Sequence, residues 1–119
     1  MKNIVVTTSW DDGHVLDMRL AALLKKYNIK GTFYIAPKNR EIPAEKRLTE
    51  SQIKELSHDF EIGAHTMTHP RLTRTSDAEA REEVHSSKTY LEEITGRGVT
   101  SFCYPQGYYT SAHVAMAKK

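Results

Sequence analysis

The sequence is short of cysteine and proline, has no surplus of either charge and contains no long apolar run, and each shortage closes off a class of protein. A lone Cys103 cannot form an intramolecular disulfide, so the fold does not depend on cross-links or on an oxidising compartment. The 17 basic residues are interleaved with 15 acidic ones, for a net charge of +2, which leaves no basic stripe for nucleic acid. No apolar stretch approaches the roughly 20 residues of a membrane span. The opening Ile4-Val5-Val6 turns polar at Thr7, too short for a signal peptide, and the chain reads as cytoplasmic. What remains is ordinary: 39% apolar and 27% charged residues in 119 positions suffice for one compact domain.

Patterning along the chain alternates between strand and helix. The β-branched run Ile4–Ser9 predicts a buried strand, ended by the turn residues Asp11-Asp12-Gly13. Leu16, Leu20, Leu23 and Tyr27 recur at helical spacing and predict an amphipathic helix ending near Asn28. Gly31–Ile35 reads as a second strand, stopped by Pro37. Thr49 and Gln52 form a capping box, with Leu48 and Ile53 as its hydrophobic staple, for a short helix to about Ser57. Phe60–Ala64 is a third strand. Ser76 and Glu79 cap a longer helix whose Ala80, Val84, Ser87, Leu91 and Ile94 share a face, closed by Gly96. Val99–Tyr104 reads as a fourth strand, and a fourth helix starts at Ser111.

This order predicts an α/β fold of parallel strand-helix repeats, in which chemistry gathers at the C-terminal ends of the strands. Asp11-Asp12, His65 with His69, and Tyr104-Pro105-Gln106 each follow a predicted strand, so the three clusters converge. A closed parallel barrel takes about 250 residues, and four strands cannot close one. The expectation is therefore a partial domain over residues 1–119, part of a distorted, incomplete TIM-like barrel. Truncation, or a homo-oligomer formed through the exposed sheet edge, would account for its uncovered face.

Two readings of the polar clusters stay open on spacing alone. His65-Thr66-Met67-Thr68-His69 is either a pair of surface histidines or, on one side of a helical turn, a pair able to share an ion. Asp11-Asp12-Gly13 is either a strand-ending turn with a helix cap, or one carboxylate on a metal beside a free one. Two histidines and a carboxylate make a facial triad with open positions for water and substrate, and a neighbouring free aspartate can accept the water's proton.

Ser9-Trp10-Asp11-Asp12-Gly13 resembles the first motif of the polysaccharide deacetylases that share the NodB-type homology domain. His65–His69, preceded by Glu61-Ile62-Gly63-Ala64, is similar to their second motif, and Phe102-Cys103-Tyr104-Pro105-Gln106-Gly107 to their third. Gly31-Thr32-Phe33-Tyr34 matches the strand between the first two. The resemblance implies a distorted (β/α) barrel and metal-dependent hydrolysis that removes acetyl groups from N-acetylated carbohydrate; charge and composition, as above, leave no nucleic-acid or membrane partner. Position by position it implies Asp12, His65 and His69 on a divalent metal, zinc above all. Asp11 would be the base, and the Gln106 N–H an oxyanion donor. Trp10, Tyr104 and Pro105 would line the substrate groove, with ordinary strand-end packing as the competing role for these residues.

The pattern also departs from that family. Cys103 stands where the third motif usually carries an arginine that steadies the base, and a small buried hydrophobe is the expected role for it. The fourth and fifth motifs, the latter with the general-acid histidine, have no counterpart here. His14, expected beside the site or at the surface, and His113, expected exposed on the last helix, are the remaining candidates. An amidase on a small cyclic amide or imide, and a catalytically incomplete metal-binding fragment, are the alternative functions.

Overall fold

The computed structural model describes residues 2–119. Three parallel strands, β1 (Thr8–Trp10), β2 (Gly31–Ile35) and β3 (Glu61–Ala64), form a sheet in that order. Helices α1 (Asp17–Lys26) and α2 (Glu50–Leu56) fall between the strands, and α3 (Asp77–Thr95) and α4 (Ser111–Ala117) follow them. The register pairs Trp10 with Phe33, Phe33 with Ile62 and Ile35 with Ala64, so three strand ends lie side by side. Phe33, Ile35, Ile53, Leu91 and Val99 are buried between the sheet and α1, α2 and α3. A smaller cluster of Leu72, Ala80, Val84 and Met116 seats α4 on α3. Among the described residues, no helix is long and apolar enough to cross a membrane.

Both capping boxes form as the sequence predicts, Thr49 with Gln52 and Ser76 with Glu79. Gly96 closes α3 in the left-handed region, at φ 68°, a conformation glycine adopts without a Cβ penalty. Gly63 is required by close approach instead. A Cβ there would lie 2.5 Å from the Tyr34 ring and 2.8 Å from Ser101 Oγ.

Four expectations are corrected. Ile4, Val5 and Val6 are not a buried strand: they are 87%, 83% and 72% exposed, because no neighbouring strand pairs with them and β1 begins only at Thr8. The predicted fourth strand shrinks to one parallel bridge between Phe102 and Ala64, held by Ala64 N–H to Ser101 O and Cys103 N–H to Ala64 O, both 2.9 Å. On α1 the buried residues are Ala21 and Leu24, whereas Leu16, Leu23 and Tyr27 face solvent. Of the predicted stripe only Leu20 packs against the core, which takes mainly the neighbouring stripe. His113 is buried, because its ring caps α4: Nδ1 accepts from Thr110 N–H at 3.1 Å.

Candidate metal centre

The site begins with backbone that ordinary residues avoid. Asp12, Thr66, His69 and Gln106 all have positive φ, between 57° and 83°. Such residues are held by their surroundings or not at all. Asp12 is held by the buried Asn39, whose Nδ2 donates to Asp12 O at 3.2 Å while its Oδ1 accepts from Glu41 N–H at 2.9 Å. Leu48 N–H donates to Gly13 O at 3.0 Å, closing the same turn.

Residues 65–69 are a loop and not the helical turn that their spacing suggested. Thr66 Oγ1 donates to His65 O and accepts from His69 N–H at 3.1 Å, folding the loop back on itself. Glu83, on α3, binds the loop from behind. Its Oε2 accepts from both Met67 N–H and Thr68 N–H at 2.9 Å, and its Oε1 from Thr68 Oγ1 at 2.6 Å. From the front, Lys38 N–H and Arg40 N–H donate to Met67 O and Thr68 O. Both histidines are thereby presented from one rigid segment.

The two imidazoles converge on one carboxylate. Asp12 Oδ1 lies 3.4 Å from His65 Nε2 and 3.2 Å from His69 Nε2. Ligand bonds of 2.0–2.1 Å around a tetrahedral zinc put neighbouring donors about 3.3 Å apart, so these separations match two edges of that polyhedron. His65 Nδ1 donates to Cys103 O at 2.7 Å, which leaves Nε2 as the lone-pair nitrogen. Nε2 is buried without a hydrogen-bond partner. Burial outweighs that backbone bond and lowers the pKa of His65, with His69 adding to the lowering. Burial thus favours the neutral ring, the form a ligand takes. His69 Nδ1 has a different neighbour, Glu41 Oε2 at 3.3 Å. Residues of this kind in this geometry fit a divalent cation.

Around the triad, Asp11 is exposed, with Oδ2 3.8 Å from His65 Nε2. Gln106 is exposed, and its Nε2 donates to Glu41 Oε1 at 3.2 Å. Trp10 lies at the end of β1, about one-third exposed, its Nε1 donating to Thr8 Oγ1. Tyr104 stacks on Tyr109 at 4.7 Å and meets Phe102 edge-on at 5.1 Å, whereas Pro105 is buried. His14 Nδ1 accepts from Leu16 N–H at 3.0 Å, which occupies that nitrogen. Asp17 was not anticipated. One of its oxygens is buried without a partner, and burial, then Asp12 and Asp11, push its pKa up to about 7. Asn39, Glu41 and Glu83 were also missed, because their roles arise from contacts across the fold and carry no local spacing. The cavity of about 320 Å³ beside His58, Glu61 and Arg97 lies at the opposite end of β3 and shares none of these groups.

Comparison with known proteins identifies the family. The family model described as Polysaccharide deacetylase matches residues 1–119. The chain is 29% identical over 105 residues to peptidoglycan-N-acetylmuramic acid deacetylase of Bacillus subtilis, covering 87% of this chain and 21% of that one. It is 29% identical over 94 residues to a peptidoglycan-N-acetylglucosamine deacetylase of Bacillus cereus, covering 76% of this chain and 32% of the relative. The structure superposes on a Streptococcus pyogenes deacetylase solved with acetate, with a TM-score of 0.83 and 27% identity, over 92% of this chain and 49% of that one. The chain thus spans less than half of each of these relatives, and its open sheet corresponds to part of their distorted barrel.

Proposed function

The chain belongs to the polysaccharide deacetylase family, and from that premise we propose that it hydrolyses acetyl-amide bonds on N-acetylated carbohydrate, with Asp12, His65 and His69 holding a divalent cation. Zinc is the ion this donor set favours. The observation that carries the reading is the Asp12–His65–His69 cluster, whose 3.4 and 3.2 Å separations surround the unpartnered nitrogen of His65.

When bound, such a cation lowers the pKa of its water and polarises the amide carbonyl. This chain's residues do the rest. Asp11, exposed beside His65 and not among the triad's donors, takes up the proton of the attacking water. The Gln106 N–H, set in a left-handed turn tied to Glu41, is assigned to the carbonyl oxygen as negative charge develops there. Trp10 and Tyr104 offer aromatic surface to a sugar, and Pro105, being buried, starts the turn that follows Tyr104. His113 is buried with Nδ1 engaged by Thr110 N–H, and we assign it the role of helix cap and not that of general acid. Loss of an acid slows amine departure by about 10²–10⁴, so we assign this chain alone strong metal binding and slow turnover.

The test is elemental analysis of the purified chain and of His65→Ala. About one zinc-like ion per chain, lost in the variant, supports the reading. No metal in either form overturns it. Acetate release from N-acetylglucosamine oligomers, measured against small cyclic imides, then separates deacetylase from amidase.

A further inference from the structure

The triad does not use every donor at the strand ends. Cys103 follows the single bridge that fastens residue 102 to β3, which brings its thiol next to the site. Cys103 Sγ, a carboxylate oxygen of Asp11 and a ring nitrogen of His65 lie within 4.8 Å of one another. The nitrogen left free on His65 is Nε2, which is buried without a partner and is 3.8 Å from Asp11 Oδ2. The thiol's own hydrogen-bond contact is a long one, 4.0 Å to Tyr104 O. Asp11 is exposed, so packing does not fix its carboxylate away from this set.

We propose that Asp11, His65 and Cys103 form a second cation position, selective for a thiophilic ion, that overlaps the first at His65. The first position offers oxygen and two nitrogens; the second offers oxygen, nitrogen and sulfur. Thiolate donors draw soft ions, and a thiol that coordinates one releases its proton to solvent. Both positions need the same lone pair on His65 Nε2, so they cannot be filled together. Where Asp11 is the base, as assigned above, an ion held here takes that carboxylate and is inhibitory.

Cadmium titration of the chain, followed by the ultraviolet thiolate-to-cadmium charge-transfer band, tests this. The expected result is a band that saturates near about one equivalent and is removed by added zinc. It vanishes in Cys103→Ser, weakens about tenfold or more in affinity in His65→Ala, and survives in His69→Ala. No band in the unaltered chain overturns the proposal. A band lost in His69→Ala as completely as in Cys103→Ser also overturns it, since Cys103 would then only extend the first position. Should Cys103→Ser fail to fold, blocking the thiol of the unaltered chain with a small methylthiosulfonate gives the same readout. Zinc content of His69→Ala and Cys103→Ser keeps the two readings apart. The hydrolase reading fails if the unaltered chain takes up no zinc, whereas the thiophilic position fails only on the cadmium band.

Discussion

The two ends of the molecule's short sheet are built in opposite ways. Around residues 65–69 every backbone N–H and C=O of Met67 and Thr68 is engaged, by Glu83 from behind and by Lys38 and Arg40 from in front, and Thr66 ties the loop from within. At the outer edge of β1 little is engaged. Ile4, Val5 and Val6 lie bare, and so do Leu16, Leu23 and Tyr27 of the first helix and its ends. Order in this fold is therefore concentrated where the donors are, and the apolar surface along β1 contributes little to it.

The largest effect should come from the core that both regions share. Phe33 is fully buried and meets Phe60 edge-on at 5.2 Å. Phe33→Ala is expected to lower stability by about 3–5 kcal/mol in denaturant melts, loosening the site and the β1 edge together. A loss confined to one region would mean that the two rest on separate cores.

Glu83→Gln acts on the loop alone. The amide keeps one acceptor oxygen and turns an NH₂ toward donors that need acceptors, so the loop relaxes. Metal affinity by chelator competition should fall about 10–100-fold, with faster amide exchange at Met67 and Thr68 and a cooperative melt retained. Unchanged affinity would show that the loop does not need its buttress.

Asp17 gives a pH signature. Unfolded, it loses its proton near 3.8, the ordinary value of an aspartate; folded, it keeps it up to about 7, chiefly because of burial. The native state therefore binds more protons across that window, and stability falls as pH rises through it. Asp17→Asn should flatten this slope in metal-free chain, raising the melting temperature at about pH 8 more than at about pH 5. An equal change at both would place the burden elsewhere. The smallest effect belongs to the bare face: Leu23→Ser should change stability by no more than about 0.5 kcal/mol while reducing self-association in sedimentation at high concentration. A large destabilisation would mean that this face is not bare in solution.

Local rules explain what the sequence made legible. Capping boxes at Thr49 and Ser76 and the left-handed Gly96 depend on neighbours a few residues away, and all three form. The side-by-side strand ends followed from alternation of strand and helix, and they bring Asp12, His65 and His69 together. What stayed hidden depends on partners far along the chain. Glu83 lies 15 and 16 residues from the amides it binds, and Asn39 lies 27 residues from Asp12. The buried face of α1 was misread because spacing offers two stripes, and only the sheet decides between them. Residues 99–104 have strand composition but meet β3 through a single bridge.

The left-handed residues at the site set a conflict between durability and use. Glycine would relieve each of Asp12, Thr66, His69 and Gln106 of about 1–2 kcal/mol of steric opposition. Two of these four are ligands in the proposed centre, and glycine offers no donor atom. Selection for a sturdier fold and selection for a working centre therefore pull the same codons apart. A library screened for thermal resistance alone should drift toward glycine at positions 12 and 69, and its most robust members should have lost the ion.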